Sequence, residues 1–290
     1  MLRVFAPAKI NLFLHVGDKR SDGYHELESL AVFADVGDAL KFERAGTLSL
    51  VVDGPFAASL AGEADNLVLR AARGAAQLAR RELPRKITLT KNLPVASGIG
   101  GGSSDAAATM RAFLLQWEGD QIVLDDFVAL ASELGSDVPV CFFGQSSWMA
   151  GRGDDIARTS VPPLHAVLVN PGVSIATRDV FAGLRERTGI GAGEWPERFE
   201  TAQSLLDFLR TTKNDLEAPA LRLAPQIGEA LQALRSASGI ELARMSGSGA
   251  TCFGLFENEA MAKNAAVSIA ASHPEWWVKA AQLAPKDSED

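Results

Sequence analysis

Polar and apolar side chains alternate along the first part of the chain, which is typical of strands that bury one face. From Lys9 to Val16, polar residues alternate with isoleucine and leucine, and this predicts a half-buried strand. A second strand or a short helix is predicted for residues 26–36. The remaining strands predicted before the chain midpoint are residues 40–43, 47–52 and 86–91, the first two joined as a hairpin around Ala45-Gly46.

Several longer segments carry apolar residues at helical spacing. Helices are predicted at residues 66–82, 103–117, 125–134, 202–210, 219–236 and 260–271. Asp65 is the predicted N-cap of the first helix, because its carboxylate can accept a hydrogen bond from the first turn. Gly135 is predicted to end the third helix. In the second half of the chain, strands are predicted at residues 166–169, 241–245, 251–256 and 276–283.

A proline pair marks the predicted boundary between two parts of the chain. Pro162 and Pro163 lie between two periodic regions, and proline interrupts both helices and sheet ladders. Helices and strands are mixed on both sides, so the predicted fold class is α+β, built as two-layer α/β units. We therefore predict one domain over residues 1–160 and a second over residues 161–290.

The composition is that of a folded globular protein. Of the 290 residues, 47% are hydrophobic and 22% charged, which supplies enough apolar surface for a core. The net charge of -8 argues against a general nucleic-acid binder, which would carry a basic surface. It does not exclude an anionic small-molecule substrate, because a few lysines and backbone N–H groups can bind phosphate inside an acidic protein.

The cysteines and the N-terminal segment indicate the expected thiol chemistry and cellular location of the protein. Cys141 and Cys252 lie far apart in apolar segments and form no C-x-x-C pair, so two buried free thiols are predicted rather than a disulfide framework or zinc site. The apolar N-terminal segment is interrupted by Pro7, Lys9 and Asn11, and it has neither a signal-peptide cleavage pattern nor the length of a membrane span. The expected location is the cytoplasm, with no membrane partner.

The most informative segment is ITLTKNLPVASGIGGGSSDAAA, residues 87–108, in which a predicted strand leads through a glycine-rich run into a helix. Glycine permits positive φ and lets the backbone approach a ligand closely. Successive N–H groups can then face one concavity, with the positive end of the following helix behind it. The segment is therefore predicted to hold phosphate oxygens. Ser103 and Ser104 could cap the helix, contact phosphate or ligate magnesium.

Other glycine-rich motifs fit this segment poorly. A Walker A loop requires a lysine after its glycines, and none follows Gly102. A dinucleotide-binding fingerprint requires glycine where this chain has Ser103. A protein-kinase glycine loop joins two strands, whereas this run opens a helix. A flexible linker is the remaining alternative, and the order of strand, loop and helix disfavours it.

Three segments resemble the motifs of the GHMP kinase superfamily, which includes galactokinase and the homoserine, mevalonate and phosphomevalonate kinases. PVASGIGGGSSDAA resembles the family signature, PAKINLFL its first motif and MSGSGATCFGLF its third. They occur in the family's order and cover nearly the whole chain. The resemblance implies an ATP-dependent small-molecule kinase. Its implied fold has an N-terminal ribosomal-S5-like domain, a C-terminal ferredoxin-like domain and an active site in the cleft between them.

Further segments, RSDGYHELES, LGSDVPVCFFG and NPGVSIAT, are similar to one branch of this family. That branch phosphorylates the 2-hydroxyl of a methylerythritol linked to cytidine diphosphate, in the non-mevalonate route to isoprenoid precursors. The resemblance implies the same substrate with ATP and Mg²⁺, and we expect a monomer or weak homodimer. The alternatives are a mevalonate- or homoserine-type kinase and a non-catalytic nucleotide-binding regulator. The regulator predicts loss of Lys9 or Asp137, and both are present.

The resemblance implies two catalytic residues. Lys9, in PAKIN, corresponds to an active-site lysine that orients the acceptor hydroxyl beside the catalytic carboxylate, and the alternative is a solvated lysine at a strand edge. Asp137, in LGSDVP, corresponds to the general base that takes the proton of that hydroxyl. Because it stands at the entrance to a predicted apolar strand, Asp137 could instead be a cap or turn aspartate.

The resemblance also implies the binding residues. For ATP it implies the whole glycine loop, Pro94, Val95, Ala96, Ser97, Gly98, Ile99, Gly100, Gly101, Gly102, Ser103 and Ser104. For the acceptor it implies Asn11, Tyr24, His25, Lys91 and Thr177, with Tyr24 and His25 suited to stack on cytosine. Gly247, Ser248 and Gly249 would support the transferring phosphate, and a plain turn is the alternative there. No metal ligand is assigned, and Ser104 and Asp105 are the candidates.

Overall fold

The computed structural model describes residues 1–62, 65–117, 123–190 and 195–285. The chain forms two compact units, each drawn from several segments. Unit 1 consists of Met1–Ala8, Gly37–Val95 and Gly100–Gly144, and unit 2 of Lys9–Val36, Ala96–Ile99 and Gln145–Asp290. The two long strands β1 (Leu2–Lys19) and β2 (His25–Arg44) each supply residues to both units, so the units interleave in sequence. The division at residues 160 and 161 stays a prediction.

Unit 1 combines a small sheet with helices. Its further elements are β3 (Ser49–Asp53), a short 3₁₀ helix (Ala57–Leu60), α1 (Leu67–Leu78), β4 (Arg85–Thr90), α2 (Gly101–Gln116), α3 (Leu124–Leu134) and α4 (Val138–Phe143). Strand β4 pairs antiparallel with the end of β2 and parallel with β3. Because β4 buries Ile87 and Leu89 at alternate positions, one face of this sheet is apolar.

Helix α2 follows the glycine loop and is buried along most of its length. Residues from Ser104 to Met110 are buried, and α1 and α4 pack against the helix. Its alanines let neighbouring helices approach closely, which explains why a helix with little amphipathic character is stable in this position. The end of α2 that faces the loop is thus held rigidly by its surroundings.

Unit 2 is built around an antiparallel sheet. Its further elements are β5 (Ser147–Ala150), β6 (Asp155–Arg158), β7 (Leu164–Asn170), α5 (Thr177–Ala182), α6 (Ala202–Arg210), α7 (Glu217–Leu223), α8 (Gln226–Arg235), β8 (Ile240–Met245), β9 (Cys252–Phe256), α9 (Glu259–Ser272) and β10 (Trp277–Leu283). The strand order is β2, β10, β7, β9, β8, while β5 pairs with β2 and β6. Helices α8 and α9 pack on β7 and β9 and form a core with them.

The predicted hairpin around Ala45-Gly46 is wrong, although both of its strands exist. Strand β4 lies between β2 and β3, so the strands on either side of the turn do not pair with each other. Ile87 and Leu89 of β4 are fully buried, whereas no residue of β3 is buried. A central position for β4 buries these side chains, and sequence proximity alone does not decide strand order.

Three further local predictions need correction. The N-cap of α1 is Asn66, whose side chain accepts a hydrogen bond from the Val68 N–H, rather than Asp65. The helix predicted over residues 219–236 is broken into α7 and α8 before Pro225, because proline disfavours helical geometry in the residue that precedes it. The apolar segment after Asp137 is the helix α4 rather than a strand.

The remaining global expectations concern membranes and thiols. Among the residues that the structure describes, no helix combines the length and apolar character needed to cross a membrane. Cys141 and Cys252 are both buried free thiols, as predicted. The cytoplasmic location and the monomeric or weakly dimeric state stay predictions.

Candidate active site

The glycine loop adopts the backbone that its composition predicts. Gly98 and Gly100 have φ of 74° and 63°, and Ala96 has a φ of 51°, which is uncommon for a residue with a side chain. Gly100 is the N-cap of α2, and no side chain caps this helix end. Ser103 and Ser104 lie inside the first turn, so a capping role for either is wrong. The first-turn N–H groups thus have no competing side-chain cap where a phosphate would bind.

A second glycine loop packs directly on the first. A Cβ atom added to Gly98 would lie 2.5 Å from the Ser246 carbonyl oxygen and 2.6 Å from the Gly249 nitrogen. A Cβ added to Gly247 would lie 2.8 Å from the Gly98 carbonyl oxygen. Two backbone segments therefore meet at a distance that only glycine permits. Gly98 and Gly247–Gly249, which were predicted from separate motifs, are in contact with each other within unit 2.

Hydrogen bonds fix the contact between the two loops. The Thr251 N–H donates to the Ser97 carbonyl at 3.0 Å, and the Ser246 hydroxyl donates to the Gly98 carbonyl at 3.1 Å. The Asn11 N–H donates to the same Ser246 hydroxyl at 3.1 Å. One serine therefore joins the strand of the first motif to both glycine loops.

The Asn214 side chain stabilises the second glycine loop by hydrogen bonds. Its side-chain amide donates to the Met245 and Gly247 carbonyls, each at 2.8 Å. Thr177 and Ser248 share a hydrogen bond of 2.9 Å between their hydroxyls. The predicted residues Asn11, Thr177 and Ser248 are therefore brought to the same place, whereas Ser246 and Asn214 were not predicted. A polar residue next to a glycine loop was the only available signal for Ser246.

Lys9 is buried, with an exposed fraction of 3%, so the alternative of a solvated edge lysine is wrong. Its backbone N–H donates to the Ile99 carbonyl at 2.9 Å, which places this strand position beside the first glycine loop. A lysine is rarely buried without a specific electrostatic role.

Asp137 is half-buried immediately before α4. It occupies the N-cap position of that helix, although its side chain makes no capping hydrogen bond there. The roles of Lys9 and Asp137 in catalysis stay predictions at this point.

His25 and Tyr24 lie in a partly exposed region of unit 2. The His25 ring stacks on Phe181 with ring centroids 5.6 Å apart and planes 20° apart, and its Nδ1 lies 3.3 Å from the Gly17 carbonyl oxygen. The exposed Tyr24 ring lies under the Arg152 guanidinium at 5.3 Å. Phe181 was not predicted, because a single phenylalanine in a short helix carries no distinguishing pattern. The structure thus adds an aromatic face to the predicted pyrimidine-binding residues.

Lys91 is placed differently from a ligand-contacting lysine. It is buried, and its Nζ donates to Asp38 Oδ2 at 2.5 Å and to Asp105 Oδ2 at 2.8 Å. Burial lowers the pKa of Lys91, but Asp105 and Asp38 together outweigh burial and leave that pKa raised. Burial raises the pKa of Asp105 to about 7, against the opposing effect of Lys91. The role of Lys91 as an acceptor contact gains no support from this placement.

The two candidate metal ligands differ in their fit to a cation. The Ser104 hydroxyl is buried and has no hydrogen-bond partner among the described residues. The Asp105 Oδ1 is likewise buried without a hydrogen-bond partner among the described residues. Its Oδ2 accepts from the Lys91 ammonium, and this positive charge opposes a metal ion at the same carboxylate. No group of three or more acidic, histidine or cysteine side chains suited to a metal ion occurs in the described part of the chain.

Two sequence models of one protein family match the regions that contain the two glycine loops. The sequence model of the GHMP kinases N terminal domain matches residues 66–145, and that of the GHMP kinases C terminal region matches residues 197–275. The chain belongs to the GHMP kinase family, and the predicted α+β fold class is confirmed. Across 286 residues it is 49% identical to the protein of Cereibacter sphaeroides named 4-diphosphocytidyl-2-C-methyl-D-erythritol kinase, with 98% of this chain and 100% of that protein covered.

The matches to solved structures agree with the matches to known sequences. The crystal structure of a 4-(cytidine 5'-diphospho)-2C-methyl-D-erythritol kinase matches with a TM-score of 0.78 and 32% identity, over 98% of this chain and 100% of that one. A homoserine kinase from Cytophaga hutchinsonii matches with a TM-score of 0.69 and 18% identity, over 97% and 93% of the two chains. The second likeness concerns the fold alone.

Proposed function

We propose that this chain transfers the γ-phosphoryl group of ATP to the 2-hydroxyl of 4-diphosphocytidyl-2-C-methyl-D-erythritol. The observation that carries the proposal is the 49% identity, over the full length of the relative, to a kinase named for this substrate. The solved structure named for the same substrate supports it with a TM-score of 0.78. The contacts between the two glycine loops agree with it, because they join motifs that one kinase family uses together.

The glycine loop is the proposed site for the ATP phosphates. Phosphoryl transfer depends mainly on positioning and on neutralising charge, so backbone N–H groups held in a fixed arrangement are the main requirement. The left-handed residues Gly98 and Gly100 and the uncapped first turn of α2 supply such N–H groups. The second glycine loop holds Gly98 from its other side and so limits movement of the phosphate-binding backbone.

Lys9 and Asp137 are the proposed catalytic residues. Asp137 would accept the proton of the 2-hydroxyl as the oxygen attacks the γ-phosphorus, and ADP would leave from the opposite side. Lys9 would orient the hydroxyl and offset the negative charge that develops on it. The burial of Lys9 beside the first glycine loop supports its role. The role of Asp137 rests on its place in the LGSDVP segment.

Recognition of the cytidine group is proposed for His25, Tyr24 and Phe181. A pyrimidine ring can stack on aromatic faces, and such stacking contributes about 1–3 kcal/mol per base. The ring pair His25 and Phe181 supplies an aromatic face together with a polar ring edge. Asn11 and Thr177, joined to the second glycine loop, are proposed to contact the rest of the acceptor.

Magnesium is proposed to enter with ATP. The Ser104 hydroxyl, which is buried without a hydrogen-bond partner among the described residues, is the side chain of this loop that fits a magnesium ligand. Bound magnesium would neutralise charge on the phosphates.

The substrate assignment is tested by measuring ADP release with three alcohols: the cytidyl substrate, mevalonate and homoserine. We expect turnover with the cytidyl substrate alone, and phosphorus NMR of the product should locate the new phosphate on C2. Turnover of mevalonate or homoserine without turnover of the cytidyl substrate would overturn the proposal. Absence of turnover on all three, with ATP still bound, would favour the nucleotide-binding regulator.

The proposed base is tested by Asp137→Asn, which keeps the side-chain shape and removes the proton acceptor. We expect single-turnover phosphoryl transfer to slow by at least about a hundredfold, with both ligand affinities nearly unchanged. Asp126→Asn, an exposed aspartate of α3, is the matched control and should transfer at the wild-type rate. A full-rate Asp137→Asn enzyme would remove the base and leave positioning as the mechanism.

A further inference from the structure

Asp38, Lys91 and Asp105 form a buried charged cluster that joins the two ends of the glycine loop. Lys91 lies just before the loop, and Asp105 lies immediately after the first turn of α2, the helix that follows the loop. The exposed fractions of the three residues are 0%, 2% and 2%, so solvent screens their attraction little. We call this cluster the loop clasp.

The entrance of the loop is fixed by Asp38. Its Oδ1 accepts hydrogen bonds from the Asn92 and Leu93 N–H groups at 2.6 and 2.9 Å, while its Oδ2 accepts from Lys91 Nζ. One carboxylate therefore holds three consecutive residues immediately before Pro94. Charge-assisted hydrogen bonds of this kind are stronger than neutral ones.

The exit of the loop is fixed by Lys91. Its Nζ reaches Asp105, and a Cβ added to Gly101 would lie only 3.0 Å from that nitrogen. Gly101 and Asp105 are four residues apart and share a face of α2. The ammonium group therefore lies under the first turn of the helix, at the end where phosphate is proposed to bind.

We propose that the loop clasp is a positioning device for ATP, in which Lys91 acts through the loop rather than on the acceptor alcohol. Holding both ends of a short loop reduces its freedom before the ligand arrives, and preorganisation of this kind increases affinity. Lys91 also offsets two carboxylates that would otherwise repel the phosphates. This inference rests on the proposed function, because it assumes that the glycine loop holds ATP.

The test compares Lys91→Met with Lys86→Met, an exposed lysine on the preceding strand. We measure the affinities for a non-hydrolysable ATP analogue and for CDP, the KM and kcat, and the melting temperature. For Lys91→Met we expect the affinity for the ATP analogue to fall by at least about tenfold, because loop order is lost and two carboxylates become unpaired. The CDP affinity should stay within about twofold, since the proposed cytidine contacts are elsewhere. Lys86→Met should change neither affinity.

The pair Asp105→Asn and Asp105→Ala covers the case in which Lys91→Met fails to fold. The asparagine keeps an acceptor for Lys91 and should bind the ATP analogue within about threefold of wild type, whereas the alanine should lose more. Weaker CDP binding with unchanged binding of the ATP analogue would place Lys91 on the acceptor and overturn the clasp. A lower melting temperature with both affinities unchanged would also overturn it. A wild-type protein that binds the ATP analogue but does not phosphorylate the cytidyl substrate would instead refute the proposed acceptor.

Discussion

At the scale of single residues, the two glycine loops show how a missing side chain determines a site. Gly98 combines a φ of 74° with contacts to the backbone of Ser246 and Gly249 that leave no room for a Cβ. Backbone atoms cannot move aside as a flexible side chain can. The position therefore carries two separate requirements for glycine, one conformational and one steric.

Gly98→Ala is expected to lower the free energy of unfolding by about 2–4 kcal/mol and to raise the KM for ATP at least about tenfold. The physical reason is a Cβ at 2.5 Å from a carbonyl oxygen, which forces the two loops apart. Chemical denaturation and steady-state kinetics measure both effects. The control is Gly46→Ala, where φ is not positive and no atom lies within 4 Å of the added Cβ. A Gly98→Ala protein as stable and active as this control would contradict the packing of the loops.

At the scale of elements, helix ends in this chain are decided by side-chain geometry. Helix α1 begins after Asn66, whose side chain bonds the Val68 N–H at 2.9 Å, although Asp65 has the same capping chemistry one position earlier. The exposed Asp65 instead lies 3.9 Å from Arg70. In the same way, Pro225 separates α7 from α8 within a segment whose apolar spacing is continuous.

Asn66→Ala is expected to lower the free energy of unfolding by about 1 kcal/mol, because the first turn loses its cap. Asp65→Ala should change it by less than about 0.5 kcal/mol, since an exposed ion pair contributes little. Urea denaturation of the two variants in parallel measures the difference. Equal losses, or a larger loss for Asp65→Ala, would contradict the cap that the structure shows.

At the scale of the whole molecule, the loop clasp and the proposed cytidine-binding rings lie in different units, although Gly98 of the proposed ATP loop belongs to the same unit as those rings. Every contact of the loop clasp lies within unit 1, and the described contacts of His25 with Gly17 and Phe181 lie within unit 2. A substitution in the loop clasp should therefore affect mainly ATP binding, and a substitution of His25 mainly binding of the cytidine group. The expected cleft between two domains stays a prediction.

His25→Ala is expected to weaken CDP binding by about 1–3 kcal/mol, because one stacking and hydrogen-bonding partner is lost. The affinity for the ATP analogue should be nearly unchanged. The matched control is His273→Ala, a histidine that stacks on Trp276 at the end of α9. Calorimetry with both ligands distinguishes the cases. Weaker binding of the ATP analogue with unchanged CDP binding would assign His25 to the ATP site and contradict its role in cytidine binding.

The sequence alone determined most element types, the glycine loop and the family. These depend on short-range patterns: helical spacing, strand alternation and glycine positions reflect neighbours within a few residues. The resemblance then supplied the site residues, and the structure brings Asn11, Thr177, Gly98 and Ser248 together. Alternation in residues 9–16 predicted a strand, but it placed Lys9 on the polar side and left its exposure undecided.

Only the tertiary structure decided the long-range pairings. Strand β4 lies between β2 and β3, and Lys9 is buried. Lys91 forms an ion pair with Asp38, which is 53 residues away in the sequence. The Ser246 hydroxyl meets the Gly98 carbonyl across 148 residues. No local pattern encodes such contacts, because each depends on which faces the packed elements present to one another. Burial then favours each polar pairing, since a charged or polar group that is removed from water without a partner costs free energy.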